Sequence, residues 1–151
     1  MELDNLYQEV ILDHYKHPQH KKLSTDYTVQ VNHINQSCGD EITLNLLFKN
    51  NLIENITWDG VGCAISQASM SIASDLLQNK TLEEAANLVN QFTELMQSKG
   101  TKLGDQEVLE DAVALAGVSK FPARIKCALL GWMAFKDASN RINDINKGEL
   151  L

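Results

Sequence analysis

The sequence predicts an α+β fold: a three-stranded antiparallel sheet packed on one face by helices, with an N-terminal helix and a long C-terminal helix. Three observations carry this. Between residues 27 and 59 apolar and polar residues alternate, the period of a half-buried strand. After Asp59-Gly60-Val61-Gly62 the spacing changes to three and four, the period of a helix, and stays there. A separate stripe at the same spacing precedes the alternating part.

The first helix spans residues 2–15, where Leu3, Leu6, Tyr7, Val10, Ile11 and His14 make one stripe. Pro18 stops it. His14, His17 and His20 make no metal set, because His17 and His20 flank that proline and lose helical registration.

Residues 27–36 read as the first strand, with Val29 and Val31 against Thr28, Gln30 and Asn32. A turn follows through Ser37-Cys38-Gly39-Asp40. Residues 41–49 place Ile42, Leu44, Leu46 and Phe48 on one face and Glu41, Thr43, Asn45 and Lys49 on the other. Asn50-Asn51 suits a two-residue hairpin turn, because Asn tolerates positive φ. Residues 52–59 return with Ile56 and Trp58 inward.

Helical spacing then runs through Ile65, Ala68, Met70, Ile72, Ala73, Leu76 and Leu77 to about Gln78. Thr81-Leu82-Glu83-Glu84 has the form of a capping box, and its helix continues to about Lys99-Gly100. Asp105 is an N-cap for a short helix with Val108, Leu109, Ala112, Val113 and Leu115-Ala116 on its apolar side; Gly117 ends it. Pro122 suits the first turn of the last helix, which fades between Arg141 and Asn146 and leaves Lys147 to Leu151 as a loose tail.

The 151 residues show no repeat, linker or low-complexity segment, so 1–151 reads as a single domain. A net charge of −7 without a basic stripe argues against nucleic acid as a partner. No apolar run is long enough for a bilayer, so no membrane partner is expected. The acidic start lacks the layout of a secretory signal, which predicts a cytoplasmic location. Three cysteines in a reducing compartment leave catalytic, metal-ligating or buried thiols rather than a disulfide framework.

Each thiol stands where the backbone turns or a helix begins. Cys38 lies in a turn with Asp40 two residues on, and Gly39 between them gives the freedom to aim a thiolate and a carboxylate at one cation. Zinc accepts both donor types. Cys63 follows two glycines at a helix start, where the dipole favours thiolate. Cys127 sits in the last helix with Arg124 three residues before it on the same face, and a guanidinium there lowers a thiol pKa and offsets negative charge. Separations of 25 and 64 residues form no compact metal knuckle. On the residues alone, one shared metal site and three unrelated core cysteines both stand.

Those phrases carry a resemblance. Leu12-Asp13-His14-Tyr15, Ser37-Cys38-Gly39-Asp40, Gly60-Val61-Gly62-Cys63-Ala64-Ile65-Ser66, Lys80-Thr81-Leu82-Glu83-Glu84-Ala85 and Arg124-Ile125-Lys126-Cys127-Ala128 together resemble the SufU and IscU family of iron–sulfur cluster assembly proteins, related to the N-terminal part of NifU. The match spans nearly the whole chain. It implies a site of Cys38, Asp40, Cys63 and Cys127 that holds zinc or a transient [2Fe–2S] cluster, with sulfur arriving as persulfide from a cysteine desulfurase. IscU-type members carry Leu-Pro-Pro-Val-Lys before the last cysteine and His next to it. Here the segment is Val118-Ser119-Lys120-Phe121-Pro122-Ala123-Arg124, the neighbour is Lys126, and the stretch 95–117 is longer. These features resemble the SufU branch, associated with tight zinc and the desulfurase SufS.

The resemblance therefore implies a zinc-bound sulfur acceptor, sulfurtransferase-like rather than a free-standing enzyme. Cys38 is the expected acceptor and Arg124 the charge support. Downstream cluster-assembly or apo-iron–sulfur proteins are the expected recipients. A scaffold building a [2Fe–2S] cluster on the same ligands is the alternative, and a structural zinc module that acts by binding a partner is the second.

Overall fold

The computed structural model describes residues 2–146, with side chains from residue 7 onward. The expectations for the Leu3 and Leu6 side chains and for the tail after Asn146 lie outside the described residues. In chain order the elements are α1 (Glu2–Lys16), β1 (Val29–Asn35), β2 (Asp40–Lys49), β3 (Leu52–Val61), α2 (Ala64–Leu77), α3 (Leu82–Gln97), α4 (Gln106–Leu109), a 3-10 segment (Glu110–Lys120) and α5 (Pro122–Asn146). The predicted α+β class is what the structure shows.

The sheet is antiparallel in the order β1-β2-β3. Val31, Leu44 and Trp58 sit in one cross-strand row, and all three are buried. Asn50 and Asn51 both take positive φ, 54° and 62°, the conformation a tight two-residue hairpin demands. Helices α2 and α5 cover the apolar face, and α1, α3 and the 3-10 segment pack outside them. Gly131 of α5 lies against Met70 of α2, where an added Cβ would stand 2.6 Å from the sulfur, so the two helices meet almost backbone to side chain. Beside this contact Trp132 donates its indole N–H to Ser69 Oγ at 2.9 Å and stacks on Phe92 with ring centroids 4.1 Å apart.

Helix α1 is fixed by His14, which is buried. Its Nδ1 lies 2.8 Å from Ser71 Oγ of α2 and its Nε2 2.9 Å from Asp111 Oδ2 of the 3-10 segment. Ser71 Oγ already accepts the Gln19 N–H at 2.7 Å, so its own proton is free for Nδ1 and the Nε2–H donates to Asp111.

Three expectations are corrected, and a fourth holds with a qualification. Asn45, assigned to the face away from Ile42 and Leu44, is nonetheless buried, because Ser24 crosses that face: its N–H donates to Thr57 Oγ1 at 3.0 Å and its carbonyl accepts from Asn45 at 2.8 Å. Phe48 lies on the predicted face and packs against the core, opposite buried Ile53, but is only partly buried where the β2–β3 register shifts between Leu47 and Phe48. Strand β3 runs past Gly60, whose bare Cα faces the Glu41 carbonyl oxygen across the ladder. Gly117 ends nothing: α4 stops at Glu110, which takes φ 48° and ψ −126°, and a 3-10 segment continues to Lys120. That segment buries Ala112, Leu115 and Val118 at threefold spacing against surrounding helices, which stabilises a tighter winding than α.

Candidate metal centre

The three thiols and Asp40 gather at one end of the sheet. Cys38 occupies the turn between β1 and β2, where its N–H donates to the Asn35 carbonyl at 3.3 Å and Gly39 takes φ 69° to bring the chain back. Asp40 is the first residue of β2 and is fully buried. Cys63 is the N-cap of α2; its sulfur makes no capping bond to its own helix and stays available to face the site. Cys127 projects from α5 and is fully buried. Cys38 is exposed and Cys63 half-buried.

Cys38 Sγ and Cys127 Sγ lie 3.2 Å apart. One ligand atom from each of Cys38, Asp40 and Cys127 falls within 4.8 Å of the other two, the only such cluster among the described residues. Cys63 borders it rather than joining it: its backbone N–H donates to Asp40 Oδ1 at 2.9 Å. The structure thus brings three of the four predicted ligands together and seats the fourth at their edge.

Burial first, and then the neighbouring Cys38, Asp40 and Cys63 side chains, push the Cys127 thiol far above the ordinary range. This corrects the expectation that Arg124 lowers it. Arg124 is exposed and lines a groove of about 820 Å³ between α1, the start of α2 and the start of α5, with Cys63, Tyr7, Ile11 and Phe121. Sequence reasoning passed over that groove, although Tyr7, Ile11 and Ile65 were in its apolar stripes.

The donor set fits zinc. Asp40 Oδ2 is a buried oxygen with no hydrogen-bond partner. A buried oxygen without a donor is costly, and a cation would supply the partner it lacks. Thiolate sulfur and carboxylate oxygen are both ordinary zinc ligands. The proton that burial holds on Cys127 is the one a metal would displace on binding.

Among known proteins the chain is 42% identical over 134 residues to the zinc-dependent sulfurtransferase SufU of Bacillus subtilis, covering 89% of each chain. It is 44% identical over 140 residues to the iron–sulfur cluster assembly scaffold protein IscU of Streptococcus pyogenes, covering 92% of this chain and 86% of that one. The crystal structure of FiSufU from Fervidobacterium islandicum superposes with a TM-score of 0.78 at 32% identity, over 85% of this chain and 92% of that one. The family described as NifU-like N terminal domain matches residues 6–128. With the fold, the thiol–carboxylate cluster and these relatives in agreement, the chain belongs to the NifU-like N-terminal domain family, alongside the SufU and IscU proteins.

Proposed function

We propose that this protein is a zinc-holding sulfur acceptor in iron–sulfur cluster assembly, charged by a cysteine desulfurase of the SufS type and serving downstream cluster-assembly or apo-iron–sulfur proteins. The observation that carries it is the asymmetry of the site. Asp40 and Cys127 are fully buried, and Cys38 alone of the cluster is exposed, on a glycine-containing turn. Buried donors suit retention of a cation; an exposed thiol on a turn suits delivery. The likeness to the zinc-dependent sulfurtransferase supports the same reading.

Zinc, held by Cys38, Asp40, Cys63 and Cys127, would keep the thiols deprotonated at neutral pH. The remaining steps belong to the chain. The Cys38 thiolate attacks the outer sulfur of the desulfurase's cysteine persulfide. A sulfur–sulfur bond forms at Cys38 Sγ, the donor's own sulfur–sulfur bond breaks, and the donor cysteine departs as thiolate. The proton on the transferred sulfur stays with it, and no net oxidation occurs. Arg124, exposed beside Cys63, supports the negative charge as the donor enters. The test is incubation with a cysteine desulfurase and cysteine, followed by mass spectrometry of the intact chain. The expected product carries added sulfur on the peptide containing Cys38, and Cys38→Ala abolishes it; transfer to the variant at the wild-type rate refutes the assignment.

A second reading, assembly of a [2Fe–2S] cluster as cargo on the same residues, is favoured by the mixed donor set, since an oxygen ligand keeps a cluster exchangeable. It predicts visible absorption after anaerobic reconstitution with iron and sulfide. If zinc removal unfolds the chain and the desulfurase is not stimulated, a structural zinc module is left.

A further inference from the structure

We infer that Gly62 is a positioning residue for the metal centre: it leaves the space in which the Asp40 carboxylate is turned so that one oxygen is fixed by the chain and the other is free for the cation. The inference rests on the zinc reading above and assigns a residue that makes no ligand bond itself.

The geometry is specific. A Cβ at Gly62 would overlap Asp40 Oδ1, stand 2.9 Å from Asp40 Cγ and 2.6 Å from Ser66 Oγ. Ser66 is fully buried and its hydroxyl already donates to the Cys63 carbonyl at 3.0 Å, so it has nowhere to retreat. Gly62 also takes φ 154°, a value L side chains rarely adopt. With no side chain there, Asp40 Oδ1 reaches the Cys63 N–H at 2.9 Å. That bond uses one oxygen and sets the plane of the carboxylate. The other oxygen, Oδ2, is left buried without any protein partner. One oxygen of the Asp40 carboxylate lies in the mutual cluster with the Cys38 and Cys127 sulfurs, so the carboxylate that Gly62 makes room for belongs to the same group as the thiols. A side chain at position 62 displaces the carboxylate, breaks its bond to Cys63 and takes the oxygen donor out of the set. Gly62 is thus to Asp40 what an outer hydrogen-bond partner is to a metal-bound histidine.

The test uses the full chain, with zinc affinity measured by chelator competition and Co²⁺ as the spectroscopic probe of the ligands. Wild type is expected to take up one Co²⁺ with visible bands of a thiolate-rich site. Gly62→Ala is expected to weaken zinc by about tenfold or more and shift those bands. Asp40→Asn keeps an oxygen for the Cys63 N–H but replaces the free oxygen with a poor donor, and it is expected to shift the bands in the same sense. Adding Gly62→Ala to Asp40→Asn should then cost little more. Gly117→Ala, whose added Cβ meets nothing within 4 Å, is the control and should change neither quantity. Asp40→Asn keeps the inference testable if Gly62→Ala does not fold. Uptake by wild type with bands unshifted in Gly62→Ala overturns this assignment alone, whatever Asp40→Asn shows. Failure of wild type to take up either metal overturns the zinc reading and this inference together.

Discussion

Cys38 Sγ, in a turn, lies 3.2 Å from Cys127 Sγ, in a helix 89 residues further on. Cys63 stands outside their cluster, so the three thiols are not equivalent partners. Zinc-free protein treated with diamide should therefore form the Cys38–Cys127 disulfide first, the two thiols giving two protons and two electrons to the oxidant. A disulfide needs about 2.05 Å between sulfurs, a movement the turn holding Gly39 can supply. Peptide mapping under non-reducing conditions reads the result; a dominant pair containing Cys63 contradicts it.

Metal binding should depend steeply on pH. Burial, with Cys38, Asp40 and Cys63 close by, holds the proton on Cys127 through the neutral range. Zinc has to expel it, so apparent affinity rises with pH by roughly tenfold per unit for each proton released. Chelator competition at pH 6.5 and 7.5 measures this. A flat profile means that Cys127 is not deprotonated on binding. In the metal-free protein, iodoacetamide should label exposed Cys38 well before buried Cys127.

Much of this was legible in the sequence, for reasons that can be named. Alternation gave β2 because Ile42, Leu44 and Leu46 face one core and nothing competes for them. The capping box was legible because it is local: Glu84 N–H donates to Thr81 Oγ1 at 3.1 Å, and Thr81 N–H to Glu84 Oε1 at 2.9 Å. What failed depended on distant contacts. Asn45 is buried by a segment some twenty residues upstream, and no pattern within β2 reveals it. The 3-10 segment contains Ala112 to Ala116, all apolar and all buried, so spacings of three and of four fit it equally well. At the site, the motifs flagged Cys38, Asp40, Cys63 and Cys127. The need for glycine at 62 became visible only once Asp40 stood beneath it.

Glu110→Gly should stabilise the fold. Glu110 is exposed and takes φ 48° and ψ −126°, where a side chain is strained by about 1–3 kcal/mol. Its N–H bond to the Gln106 carbonyl survives the change. Against the relief stands the extra unfolded-state entropy of glycine, roughly 0.5–1 kcal/mol. A net gain of about 1 kcal/mol is expected, seen as a higher urea midpoint at unchanged slope. A lower midpoint shows that the strain is not there to be relieved.

His14→Ala should be costly, and not through metal. It removes a buried ring and strands the Ser71 hydroxyl, which sits in the interior and loses its only acceptor at Nδ1. A loss of about 2–4 kcal/mol follows from the unmet group and the cavity. Zinc stoichiometry of whatever remains folded should be unchanged. His14→Ala and Ser71→Ala should be strongly non-additive in a double-mutant cycle, since each removes the same bond. Additivity of the two losses means that the bond contributes nothing.

The pairing of β1 with α5 supplies the clearest acid-sensitive contact. His33 Nε2 lies 2.9 Å from Asp137 Oδ2, and Arg141 Nε donates to Asp137 Oδ1 at 3.1 Å. Burial raises the Asp137 pKa, but His33 and Arg141 outweigh it, and the carboxyl sits below its ordinary value of 3.8. A carboxyl depressed in the folded state adds stability above its unfolded pKa and loses it as pH falls through the folded one. Asp137→Asn should therefore cost stability at pH 7, and the gap to wild type should narrow as pH falls below the ordinary value of 3.8. Because Asp137 and Arg141 are 33% and 52% exposed, solvent screens the pair and the cost at pH 7 is held to about 0.5–1 kcal/mol. Urea unfolding of both proteins at pH 7 and pH 3 measures the two gaps. If the deficit is as large at pH 3 as at pH 7, the carboxylate's charge is not what joins strand to helix, and the asparagine is failing by shape or by hydrogen bonding instead.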